Sequence, residues 1–209
     1  IVMAGLGADH VNDPATSPAA VPSAGTDIVI GDNGFVNWDS GGQLTQFGST
    51  VPGLGGDDVI LVGDGPNIVV GGFGNDTIAT GANADIVLGD DGQVDYVTAD
   101  GIAADIDLIQ STSTTAFGGT DTITTGAGDD IVIGGRFGDT INAGTGDNLV
   151  IGDSGQVIAD TVDAPQMAGQ PITLHAFDAI GRDLAQLYEA LESHDLAAGS
   201  PAARRLFAG

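Results

Sequence analysis

The 209 residues carry 29 acidic side chains against four arginines and no lysine, a formal net charge of −25. That sign excludes nucleic acid as a partner, because phosphate binding requires the opposite charge. A chain that repels itself so strongly needs bound cations or high salt to compact. There is no cysteine, and so no disulfide or thiolate chemistry. No apolar run approaches the roughly 20 residues of a membrane span.

Glycine contributes 35 residues, more than twice its usual share of about 7%, and it recurs with a period. The chain opens on Ile1 without an initiator Met and reads as a piece of a longer protein. From there, nine-residue units start at residues 5, 23, 53, 63, 72, 81, 117, 126, 135 and 144. Positions 1 to 4 are glycine-rich, which suits tight turns and positive φ. Position 5 is Asp or Asn: Asp9, Asp27, Asp57, Asn67, Asp76, Asp85, Asp121, Asp130, Asp139 and Asn148. Position 7 is Val or Ile in every unit, including Val59, with Val62 read as a bulge because the unit at 53 runs one residue out of phase. A three-residue strand over positions 6 to 8 sends its middle side chain one way and its neighbours the other. One strand and one turn make half a coil, and stacked coils make a parallel β-solenoid.

These units resemble the RTX nonapeptide, G-G-x-G-x-D-x-U-x. "GGFGNDTIA" at 71–79 matches it in full, and "GGRFGDTIN" at 134–142 matches apart from a displaced glycine. The resemblance covers about 53–151. It implies a parallel β-roll with calcium held between the loops of neighbouring coils by Asp carboxylates and backbone carbonyls. Calcium takes six to eight oxygens, which glycine-rich turns and aspartates can supply. Loops one coil apart, about 18 residues, pair Asp57 with Asp76, Asn67 with Asp85, Asp121 with Asp139 and Asp130 with Asn148. With Asp27 these are the expected metal ligands, those containing Asn being the weaker for lack of a charge.

The outward positions 6 and 8 alternate. Units at 23, 63, 81, 126 and 144 place Ile, Val or Leu there, while those at 72, 117 and 135 place Thr, Ala or Asn. One outer sheet is therefore apolar and the other Thr-rich. Ile1 and Met3 continue the apolar face. A bare apolar sheet exceeds what soluble monomers expose, so it requires a cover. Three exits, "IGDNGFV" (30–36), "LGDDGQV" (88–94) and "IGDSGQV" (151–157), each follow an apolar-face strand. Two lead into predicted hairpins, about 36–52 around "DSGG" and 94–116 around "ADG". Phe35, Trp38, Leu44, Phe47, Tyr96, Ile102, Ile106 and Leu108 are the candidates to lie on the sheet.

The organisation predicted is a partial repeat over 1–22, a roll with hairpin insertions over 23–164, and a tail over 165–209 with a capping helix at 175–195. The fold class is all-β, a parallel β-roll with inserted hairpins and a C-terminal helix. None of His10, His175 and His194 stands in a metal-ligand spacing, and no Ser lies in a nucleophile motif. The reading is a non-enzymatic, calcium-stabilised extracellular structural module: a stalk, sheath or self-associating filament subunit. The alternative is the calcium roll of a secreted hydrolase. Several calcium ions are the expected cofactor, with no nucleic acid and no transmembrane segment.

Overall fold

The computed structural model describes residues 1–16, 24–99, 101–103, 105–113 and 116–158. Contacts divide the chain into Ile1–Thr173 and Leu174–Gly209. The described residues lie in the first unit; the helix expected at 175–195 falls outside them, as does the whole 165–209 tail.

Among the described residues all regular structure is β. No helix there is long and apolar enough to cross a membrane. Two parallel sheets face each other. Sheet A has six strands: β1 (Val2–Met3), β3 (Ile28–Ile30), β7 (Ile68–Val70), β9 (Ile86–Leu88), β13 (Ile131–Ile133) and β15 (Leu149–Ile151). Sheet B has five: β2 (His10–Val11), β6 (Val59–Leu61), β8 (Thr77–Ala79), β12 (Thr122–Thr124) and β14 (Thr140–Asn142). Each coil climbs from a strand of one sheet to a strand of the other, and successive coils pair in parallel register, as in Ile78 opposite Ile123 and Val87 opposite Val132.

Between the sheets lies a single file of aliphatic side chains. Val29, Val69, Val87 and Val132 come from sheet A and Ile60, Ile78 and Ile123 from sheet B, with Val62 beside them and Val11 and Ile141 packed at the ends. Full burial of each contributes about 1.5–3 kcal/mol. These are the middle residues of three-residue strands, which is why one aliphatic per nine residues suffices.

One unit departs from the expected frame. In β6 it is Ile60 that faces the core, fully buried and opposite Ile78, while Val59 pairs with Thr77. The unit therefore runs from 54 to 62 and continues without a gap into the one at 63. Val62 is a buried core residue, not a bulge. A slip of one residue exchanges the two faces of a strand, and the aliphatic run Val59–Val62 offered both registers.

A third sheet, C, is antiparallel and gathers the insertions: β4 (Gly34–Trp38), β5 (Leu44–Ser49), β10 (Gly92–Asp95), β11 (Leu108–Ser111) and β16 (Gln156–Ile158), in the order β4-β5-β10-β11-β16. Strands β4, β10 and β16 begin against the outer face of sheet A. A Cβ on Gly34 would stand 2.6 Å from Ile30 Cδ1, one on Gly155 would stand 3.0 Å from Ile151 Cγ2, and Gly92 presses on Leu88 in the same way. Two residues after each glycine comes the valine of the exit motif. A row across sheet C joins Val36, Phe47, Val94, Ile109 and Val157 through neighbouring pairs. The chain's own insertions thus cover the apolar column Ile30, Val70, Leu88 and Ile133, all at most 1% exposed. The covering residues differ from those expected. Phe47 is buried and Tyr96 packs near it, but Trp38 and Ile102 are more than half exposed, and Ile109 takes the inward place expected of Leu108.

Candidate metal-binding loops

The loops between the sheets form two rows, one along each edge of the roll. The first row leads from sheet A to sheet B and includes 4–9, 71–76 and 134–139. The second leads from B to A and includes 62–67, 80–85, 125–130 and 143–148.

In both rows the residue just before the strand builds a ladder by lending one side-chain oxygen to the backbone of the coil before it. In the first row the N–H of Asp9 donates to Asp58 Oδ1 at 2.7 Å, that of Asp58 to Asp76 at 2.8 Å, that of Asp76 to Asp121 at 2.8 Å and that of Asp121 to Asp139 at 2.9 Å. In the second row the N–H of Asp27 donates to Asn67 at 3.0 Å, and Asn67, Asp85 and Asp130 donate to Asp85, Asp130 and Asn148 at 2.9 Å each. Each such residue therefore joins two coils. The pairs Asn67–Asp85, Asp121–Asp139 and Asp130–Asn148 are those expected from the period.

The pairing of Asp57 with Asp76 is corrected: Asp58 holds that rung, following the shifted frame of β6. Asp57 lies one residue outside it and accepts instead from Asn75 N and Nδ2, at 2.7 and 3.1 Å. The period also hid the rungs that cross insertions. Asp76 meets Asp121, and Asp85 meets Asp130, each over 45 residues rather than 18.

The second oxygen of each carboxylate decides what the rows can bind. Oδ2 of Asp9, Asp58, Asp76, Asp121 and Asp139 in the first row, and of Asp85 and Asp130 in the second, is buried without a hydrogen-bond partner. An unpaired buried carboxylate costs several kcal/mol unless a cation accompanies it. In the first row these oxygens also converge with carbonyls. Asp76 Oδ2 and the carbonyl oxygen of Gly89 together fill the place where a Cβ on Gly71 would stand; Asp121 Oδ2 and Gly134 O do the same at Gly89, and Asp139 Oδ2 and Gly152 O at Gly134. Acceptors crowd together there with no donor between them. That arrangement fits a hard cation with mixed carboxylate and carbonyl ligands. Among the described residues no three His, Cys, Asp or Glu side chains form a cage by themselves, so backbone oxygens are needed to complete any site. Bound calcium would supply positive charge and oxygen coordination at these points.

Electrostatics set the rows apart. Burial, reinforced by neighbouring carboxylates, pushes Asp76 up to about 9 and Asp121 to about 8, and Asp58 rises to about 6. In the second row burial raises Asp85 to about 6; Thr80 Oγ1 lies near that carboxylate, although it closes no hydrogen bond by geometry. The two asparagines of this row present a nitrogen, not an oxygen, to the loop. Asn67 Nδ2 donates to the carbonyls of Gly63 and Gly65 at 2.9 and 2.7 Å, and Asn148 Nδ2 to that of Ala143 at 2.7 Å. At these rungs the amide donates to the loop carbonyls itself, and the rung carries no side-chain charge.

Sequence reasoning passed over Asp32 and Asp90, the aspartates of the first two exit motifs. Both are buried beside the first row, and burial raises each to about 7. The signal was the aspartate common to all three G-D-x-G-x-V exits.

The RTX calcium-binding nonapeptide repeat family matches the chain in four copies, over residues 61–93, 115–136 and 133–156. The chain therefore carries calcium-binding RTX repeats, and the matched segments contain Asp76, Asp85, Asp121, Asp130 and Asp139. Neither the curated proteins nor the solved structures returned a match.

Proposed function

We propose that this protein is a calcium-stabilised extracellular structural module that folds when calcium fills its loops. The observation that carries the proposal is the row of buried carboxylate oxygens without donors, from Asp9 to Asp139. In a calcium-poor cytosol these charges oppose compaction and the chain stays extended and exportable. Millimolar calcium outside the cell fills sites of moderate affinity and couples binding to folding. The role is mechanical rather than catalytic. Among the described residues the one histidine, His10, pairs with Asp13 at 2.8 Å. Among the described residues β15 has one neighbour in sheet A and exposes Val150, whose counterparts in the preceding coils are buried core residues. An edge of this kind favours association with further coils or a second copy in a stalk, sheath or filament.

The test is circular dichroism and light scattering during a calcium titration of chelator-stripped protein at low salt. The expected outcome is a cooperative gain of β structure, reversed by EDTA, with growth in particle size once folded. A β-rich spectrum and melting point unchanged after exhaustive EDTA dialysis, with no metal detected, would overturn the proposal. Calcium-dependent folding to a lasting monomer would retain the calcium role and remove the filament.

A further inference from the structure

The nonapeptide makes no provision for an aspartate at its second glycine, yet Asp32 and Asp90 stand there, at the two points where a hairpin leaves the roll. Their surroundings are built alike. Asp32 Oδ2 accepts from Phe73 N–H at 2.6 Å on the next coil, and Gly55 of the returning chain and Gly72 both press on its carboxylate. Asp90 accepts from Gly119 N–H at 2.7 Å on the returning chain and from Arg136 N–H on the next coil, with Gly118 and Gly135 pressed against it. Gly56, the counterpart of Gly119, also favours the charged form of Asp32, although no hydrogen bond closes to Oδ1, which remains buried and unpartnered.

The same junctions hold the donorless oxygens of the first row. Asp58 Oδ2 lies against Gly31, next to Asp32, and Asp76 Oδ2 lies against Gly71, next to the Gly72 that abuts Asp32. In the second junction Asp121 Oδ2 lies against Gly89, next to Asp90, and Asp139 Oδ2 against Gly134, next to the Gly135 that abuts Asp90. Three aspartates flank the glycines of each junction, every one at most 1% exposed except Asp139; they form no cage by themselves, so backbone carbonyls complete the ligand set. We propose that Asp32 and Asp90 make the two hairpin junctions the tightest calcium sites of the roll, acting on Asp58 and Asp76 in one and on Asp121 and Asp139 in the other. They act as positioning residues: each adds a negative charge behind the ligand pair and accepts a hydrogen bond from the next coil, Asp90 from the returning chain as well, so that the pair stays together despite the insertion. Calcium affinity follows the charge count and rigidity of a site, and each junction adds a third carboxylate, hydrogen-bonded to the neighbouring coil, to the pair that the other loops offer. The inference rests on the calcium reading above.

Direct calorimetric titration of the stripped protein should resolve two tight ions from a weaker class. Asp32→Asn and Asp90→Asn should each weaken one tight site by about tenfold or more and leave the other, whereas Asp147→Asn at an exposed turn should leave both. Parent-like titrations of both exit variants, with stability lost equally with and without calcium, would reduce these residues to plain hydrogen-bond staples and overturn the proposal. Should neither variant fold, the parent titration decides: a single class of equal sites overturns it and two distinct tight ions support it. A parent that binds no calcium at all would overturn the calcium reading itself, a separate failure.

Discussion

The two edges of the roll solve one problem in two ways. Both must hold successive coils together through a side chain that lends Oδ1 to the coil before it. Along the first edge every rung is an aspartate, and the remaining oxygens face glycines and carbonyls with no proton donor. Along the second edge Asn67 and Asn148 stand among aspartates, and their amide nitrogens close on the loop carbonyls. The second edge closes part of its loops with its own donors, whereas the first leaves its second carboxylate oxygens unpaired. An amide and a carboxylate of equal size thus separate rungs that close on their own carbonyls from rungs that leave a buried oxygen for a cation, as the proposed function requires.

The largest test of that contrast is to change one rung on each edge. Asp76→Asn removes a buried charge from between Asp58 and Asp121. With calcium bound it should cost on the order of 3 kcal/mol, the scale for losing one partner of a buried ionic contact. Asp85→Asn installs on the second edge what Asn67 and Asn148 already provide, and should cost about 1 kcal/mol, the scale of an ordinary hydrogen-bond change. Urea midpoints at saturating calcium would measure both. Equal losses would erase the distinction between the edges.

Acidity provides the next test. Without metal, Asp76 at about 9 and Asp121 at about 8 bind protons in the folded chain far more readily than the ordinary 3.8 of an unfolded one. Groups raised in this way favour folding fully below the unfolded value, and the benefit is lost as pH rises through the folded values. In EDTA the protein should therefore become more stable from pH 9 down to pH 5. With calcium present protons compete for the same oxygens, and the trend should reverse. The double variant Asp76→Asn with Asp121→Asn should flatten the EDTA profile, because on the second edge Asp85 reaches only about 6. Melting temperatures at several pH values in both buffers would show the crossing, and trends of the same sign would refute it.

Much of this was legible beforehand, for physical reasons. A period of nine with one aliphatic at its centre leaves few alternatives to a roll, and the alternating outer residues assigned each strand to its sheet. The turns "DSGG" and "GDxG" marked where hairpins leave. What was not legible depended on distances in space. In Val59–Val62 four aliphatics in a row allow either frame, and only pairing with Thr77 and Ile78 selects Ile60. The rungs Asp76–Asp121 and Asp85–Asp130 bridge an insertion, so no fixed spacing reveals them. Phe47 and Ile109 face inward while Trp38 and Ile102 do not, a result of how two hairpins pair with each other. Asp32 and Asp90 looked like turn residues until the coil that folds against them was in view.

The smallest expected effect lies in the displaced glycine of 134–142, on the first edge. In the regular loop Gly74 adopts φ 137°, and in "GGRFGD" the matching position is Phe137, at φ 72°. A left-handed backbone costs a side chain about 1–2 kcal/mol that glycine does not incur. Phe137 is 56% exposed and packs mainly beside the Arg136 guanidinium, 5.9 Å from its ring centre, so little burial is lost with it. Phe137→Gly should raise stability by a net ~0.5 kcal/mol, since the added freedom of the unfolded glycine takes back part of the gain. The gain should be the same with and without calcium, because the ring contributes no ligand; a gain seen only with calcium would mean that the strained turn hinders the neighbouring Asp139 from reaching its ion.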